Sequence, residues 1–159
     1  MPWNELNNYE LQAVRRLLCL DVSEAAEFIG RVSSRTWQYW ESGRSKVPDD
    51  VETEMYALVS MRNQVIESVF DEINGDDPGC IRWYHTLSAF KEDFPESNSV
   101  LWRLHQSVCA YLFAEGGNAS LDADAPLNKD SFLYQWFAGT TNEQLKHREF
   151  EQKFKGLDE

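Results

Sequence analysis

The stretch SSRTWQYWESGRSKVP, Ser33 to Pro48, carries two tryptophans, one tyrosine, three basic residues and one glycine in sixteen positions. Read with a helical period, it separates into two faces. Trp37 and Trp40, three apart, share one side, as i,i+3 neighbours do. Ser34, Arg35, Gln38 and Tyr39 point the other way. A serine at 33 or 34 suits the helix start, and Gly43 suits its end, where a positive φ carries no penalty for glycine.

Working outward, the preceding residues read as two more short helices. In NNYELQAVRRLLCL, Leu11, Val14 and Leu18 recur at helical spacing and Leu17 widens the stripe. Asp21 and Glu24 have the spacing of a capping box, which opens the helix VSEAAEFI. Gly30 is expected to close it as the residue just past the helix end. Two short helices joined by a tight, glycine-containing turn make a helix-turn-helix candidate. Beyond Pro48, Asp49 and Asp50 offer a cap for a long helix whose apolar positions are Val51, Met55, Leu58, Val65, Val69 and Ile73. NGDDPG at 74–79 breaks it with turn residues. CIRWYHT reads as one short strand with Ile81 and Trp83 on one side, and SNSVLWRLHQSVCAYLFAEG as a helix with Leu101, Leu104, Val108 and Leu112 on one face. Residues 116–130 read as a polar linker, followed by SFLYQWF and a charged terminal helix opening at Thr141.

These signals give a mainly α chain with at most a short strand. Three regions are expected: a helix-turn-helix bundle over residues 1–48, a long helix plus a mostly helical C-terminal dimerisation region over 49–115, with the helices at 51–73 and 98–115 as the candidate interface, and a linker with a helical appendage over 116–159.

The order of residues resembles a known class. An alanine four before the turn glycine, followed by V-S-x-x-T-aromatic-x-x-W-E-x-G, is similar to the lambda-repressor/Cro (Xre-like) pattern. Here it is met by Ala26, Gly30, Val32, Ser33, Thr36, Trp37, Trp40, Glu41 and Gly43. Arg31 is one residue more than the usual turn contains. YELQAVRRLL, SEAAEFIG, RTWQYWESGR, VPDD and LSAFKEDFPESNSVLWRLHQSVCAYL together resemble a smaller group, the YdiL-like proteins, similar to anti-CRISPR-associated regulators of phages; this covers roughly residues 6–115. The resemblance implies an N-terminal DNA-binding domain, C-terminal dimerisation and autoregulatory repression. It also implies an ion pair between Arg15 and Glu41, joining the first helix to the recognition helix.

Within that frame the residue types sort by chemistry. Trp37 and Trp40 are expected in the core with Ala26, whose small side chain lets two helices approach. Gly30, Gly43, Arg15 and Glu41 are likewise structural. Ser34, Arg35, Gln38 and Tyr39 occupy the positions that such a helix presents to base edges. Arg bonds guanine O6 and N7 in a fork, and Gln bonds adenine N6 and N7 in the same manner. Arg31, Ser33, Ser42, Arg44, Ser45 and Lys46 flank the helix and suit phosphate contacts, which set register without reading sequence.

The bulk charge of −12 over 159 residues argues against a polyanion partner until it is located. Residues 1–47 hold six basic and six acidic side chains, so the whole excess lies in 48–159. With a Debye length of ~8 Å, the local balance governs attraction. Cys19, Cys80 and Cys109 form no CxxC pair, no apolar run approaches a membrane span, and the N-terminus has no signal-peptide pattern. Reduced thiols in a cytoplasm are expected. Cys80, His85, His105 and Cys109 lack a usual zinc spacing. The series Asp122, Asp124, Asn128, Asp130 lacks the glycine of a calcium loop. No catalytic motif appears, and neither enzyme activity nor a cofactor or metal is expected. The expected partner is double-stranded DNA bearing an inverted repeat, bound by a homodimer. RNA on the same surface, or an antitoxin-like adaptor role, is the alternative.

Overall fold

The computed structural model describes residues 5–73, 79–115 and 119–140. The turn expected at 74–78, residues 116–118 of the expected linker, the terminal helix from Thr141 and the Ile73 side chain lie outside them. The chain runs α1 (Asn8–Leu17), α2 (Val22–Ala25), a wide π turn (Ala26–Gly30), α3 (Ser34–Ser42), α4 (Asp49–Ile73), β1 (Cys80–Arg82), α5 (Leu87–Asp93), α6 (Ser99–Glu115), β2 (Ser120–Asp122) and α7 (Phe132–Ala138). Among the described residues it is mainly helical, with one two-stranded sheet. None of these helices is long and apolar enough to cross a membrane. The chain divides into two compact units, with the boundary between Ser60 and Met61 inside α4.

In the first unit, each short helix is started by its own side chains. Asn7 accepts from the Glu10 N–H at 2.8 Å while Glu10 accepts from the Asn7 N–H at 2.9 Å. Asp21 and Glu24 make the same reciprocal pair at 2.7 and 3.1 Å. Each box satisfies two backbone donors that a helix start leaves open. Ser33 caps α3, its Oγ accepting from Thr36 N at 3.2 Å. Asp49 and Asp50 do not cap α4; they stand in its first turn, where carboxylates favour the positive end of the helix dipole.

The core of this unit gathers Leu11, Leu18, Ala25, Ala26, Ile29, Trp37 and Trp40, together with Val51 and Met55 of α4. Trp37 is fully buried. A side chain of that class removes ~150–250 Å² from water, an upper-bound gain of about 4–6 kcal/mol.

In the second unit α6 is the axis. Residues Ser99 to Cys109 are all buried except Arg103, which is half-buried. The small and apolar residues on every side of this helix explain why it is surrounded. The stripe Leu101, Leu104, Val108 and Leu112 is therefore core of its own unit. At the C-terminal end of α6, Ala110 and Phe113 are exposed, Phe113 by 55%.

The expected linker is partly structured. β2 lies within it and pairs with β1 in parallel, Ile81 opposite Leu121. Only Leu121 of its three residues is apolar, so no alternating pattern announces it. α5 was likewise invisible as an element; it is seven residues long and capped by Thr86. Asp122 and Asn128, read above against a calcium loop, accept from the N–H groups of Asp124 and Asp130 at 2.9 and 3.1 Å. These are local turns.

Candidate nucleic-acid interface

The two faces of α3 differ in kind. On the inner face Trp37 and Trp40 pack with ring centroids 5.3 Å apart, and Glu41 is the hub of a polar clamp. Its carboxylate accepts from Arg15 Nε at 2.6 Å and Nη2 at 3.0 Å, and from Trp37 Nε1 at 2.5 Å. Arg15 also donates to the Leu20 carbonyl at 2.9 Å. Burial raises the Glu41 pKa, but the bonds from Arg15 and Trp37 outweigh it and hold the carboxyl below its ordinary value. Charge-assisted, forked pairs of this kind fix orientation as well as distance. The clamp sets the rotation of α3 relative to α1.

On the outer face Ser34, Arg35 and Gln38 are exposed. Among the described residues their side chains have no hydrogen-bond or ion-pair partner. Tyr39 is half-buried, with the Arg44 guanidinium 4.4 Å from its ring centre. That cation–π contact braces both side chains.

The flanking residues are exposed but mostly engaged. Ser42 Oγ donates to the Tyr39 carbonyl at 3.1 Å, and Ser45 N–H donates to the same oxygen at 3.1 Å. Lys46 lies 3.5 Å from Glu5, both well exposed, a geometry worth little in water. Arg31 donates to the Ile29 carbonyl at 3.3 Å and to Glu54 at 3.4 Å.

Arg31 also corrects the expected end of the second helix. The left-handed residue is Arg31, with φ 54°, and not Gly30. The extra residue is absorbed by the π turn, which holds one more residue per turn than an α-helix; the Ala26 carbonyl accepts from the N–H of both Arg31 and Val32. Gly30 serves packing instead. A Cβ there would stand 3.0 Å from Trp40 Cζ3, 3.0 Å from Val32 Cγ2 and 3.1 Å from Trp37 Cε3. Gly43 does take positive φ, 85°, against the Asn8 side chain.

Several participants gave no sequence signal. Asn8 donates to the Glu41 carbonyl at 3.3 Å, Glu54 pairs with Arg31, and buried Glu52 accepts from the Leu6 N–H. All join residues far apart in the chain. Among the described residues no group of three or more His, Cys, Asp and Glu side chains is placed to hold a metal; Cys80 is exposed while Cys109 is buried.

Comparison with known proteins decides the relationship. The Aca2/YdiL-like family profile matches residues 6–121. The Aca2 repressor of Pectobacterium phage ZF40 is 51% identical over 111 residues, covering 70% of this chain and 96% of that protein. The chain belongs to the Aca2/YdiL-like family. Uncharacterized protein YdiL of Escherichia coli (strain K12) is 32% identical over 111 residues, 69% of this chain and 94% of YdiL. The family match includes both faces of α3 and all of α6, and stops within β2. α7 lies beyond it.

Proposed function

We propose that the chain is a sequence-specific DNA-binding repressor, acting as a homodimer on an inverted-repeat operator, with α3 as the recognition helix of a helix-turn-helix. The observation that carries this reading is the outer face of α3. Arg35 and Gln38 stand exposed and uncompensated on a helix whose opposite face is locked by Trp37, Trp40 and Glu41. Polar side chains held ready without internal partners are what base-edge recognition requires. A relative named as a repressor supports the same reading.

Arg35 would read guanine and Gln38 adenine, with Ser34 and Tyr39 beside them. Arg31, Ser33, Ser42, Arg44, Ser45 and Lys46 would set register on the phosphates. Two-fold symmetry places the half-sites one helical turn, ~34 Å, or a multiple of it apart. The family resemblance favours the protein's own promoter as target. Selection from random DNA with the purified protein tests the proposal. A palindromic consensus is the expected outcome, and the absence of any enriched sequence would overturn it.

A further inference from the structure

The second unit contains a half-open cavity of about 270 Å³. Tyr84, Phe94 and His105 line its inner side, and Leu133 and Tyr134 line its outer side. The outer side comes from the segment after residue 121, where the family match ends. The relatives are already covered over 96% and 94% of their lengths, which leaves no room for an equivalent segment. α7 is held there by Phe137, whose ring centroid is 4.8 Å from that of His105, and by Tyr134, 5.5 Å from Phe94. The Phe132 N–H donates to Glu72 at 2.7 Å.

His105 is the polar group that packing does not satisfy. It is 4% exposed and ringed by Tyr84, Phe90, Phe94 and Phe137. Both ring nitrogens approach one thiol, Cys109 Sγ, at 3.5 and 3.9 Å. The N–H and lone-pair axes of an imidazole diverge, so one sulfur, although it can both donate and accept, cannot lie on both. Among the described residues the second nitrogen has no other partner. A buried polar group of this kind calls for a hydrogen-bond partner.

The charges around the cavity select against an anion. Arg82 is compensated by Asp93 at 3.3 Å and by the Ala125 carbonyl at 2.6 Å, and Glu72 adds a negative charge at the wall. For size, ~150 Å³ is enough for benzene in an apolar cavity; this lining is mixed, with Asn128 and Ser131 beside the rings, which suits a ring carrying a polar group.

We propose that this cavity is a binding site for a small neutral aromatic molecule carrying one hydrogen-bonding group, of the phenol or indole kind. Its ring lies among Tyr84, Phe94 and Tyr134, and its polar group meets the His105 imidazole. The site is a property of the extended chain, because the outer wall is built from residues beyond the family match.

Phenol, indole and toluene are titrated into the full-length protein, without DNA, by calorimetry and by nitrogen NMR of the histidine side chains. Saturable one-to-one binding of phenol or indole, roughly millimolar or tighter, is expected, with a shift of the His105 nitrogens that toluene does not produce. His105→Phe should weaken phenol by about tenfold and leave toluene nearly unchanged. Leu133→Trp, which fills the cavity, should abolish binding of all three. No saturable binding of phenol or indole overturns the proposal, as does binding that survives Leu133→Trp. An unmoved His105 resonance in the wild-type protein overturns it whether or not the variants fold.

Discussion

Arg35 and Glu41 lie six positions apart on α3 and fail in different ways when removed. Arg35→Ala deletes a side chain with no internal partner, so folding stability should change by less than about 0.5 kcal/mol. Its cost should appear as lost discrimination, roughly 1–3 kcal/mol between the operator and a site altered at the base it reads. Equal losses on operator and random DNA would show that Arg35 contacts phosphate. Arg15→Ala has the opposite signature. It leaves the part-buried Glu41 carboxylate with Trp37 but without its cation, and losing a hydrogen-bonded charged partner costs about 1–3 kcal/mol. Chemical denaturation should show that loss with no DNA present. Part of this difference was legible in the sequence: helical spacing sets Trp37 and Trp40 apart from Arg35 and Gln38, while the structural role of Glu41 came from the family resemblance. The partners of Arg31 and Lys46 were not legible. Glu54 and Glu5 reach them across the fold, and no local pattern encodes such contacts.

At the scale of elements, the turn between α2 and α3 shows how an added residue is accommodated. The family resemblance located the extra residue at Arg31, while the reading of the helix end assigned the strained backbone to the neighbouring glycine. Glycine is the default for positive φ; here close packing against both tryptophans has the stronger claim on Gly30, which leaves the left-handed position to arginine. Gly30→Ala should therefore destabilise the first unit by about 1–3 kcal/mol through overpacking, measured by denaturant melts. Arg31→Gly relieves an unfavourable φ but gives the unfolded chain more freedom, so stability should move by less than about 1 kcal/mol. If Arg31 contacts phosphate, the same variant should weaken operator and random DNA alike and lower the salt slope by about 1. A loss confined to the operator would make Arg31 a base reader. β2 and α5 escaped sequence reading for another reason: three and seven residues are too few for a period to declare itself, and their place depends on pairing with distant segments.

For the whole molecule, the two units carry acid sensitivity of different origin. In the first, Glu41 is held below its ordinary pKa by Arg15 and Trp37 against the opposing effect of burial. Its contribution to stability is present above the ordinary carboxyl pKa of 4.5 and is lost as pH falls through the folded value. In the second, burial alone depresses His105 from 6.5 to about 3. The folded imidazole stays neutral while the unfolded one takes up a proton below 6.5, so stability falls progressively from pH 6.5 toward 3. At pH 5 the loss is about 2 kcal/mol, from ~1.36 kcal/mol per pH unit. The titratable neighbours do not oppose it, because burial raises the pKa of both Cys109 and Tyr84 and keeps them neutral in acid. The second unit should therefore begin to weaken near pH 6, while the first holds to below 4.5. His105→Phe should remove the higher-pH step from an acid titration and leave the lower one. Trp102 belongs to the second unit and Trp37 and Trp40 to the first, so single-tryptophan versions followed by fluorescence separate the two transitions. Coincident transitions, unmoved by His105→Phe, would show that the units unfold as one and that His105 does not set the acid limit.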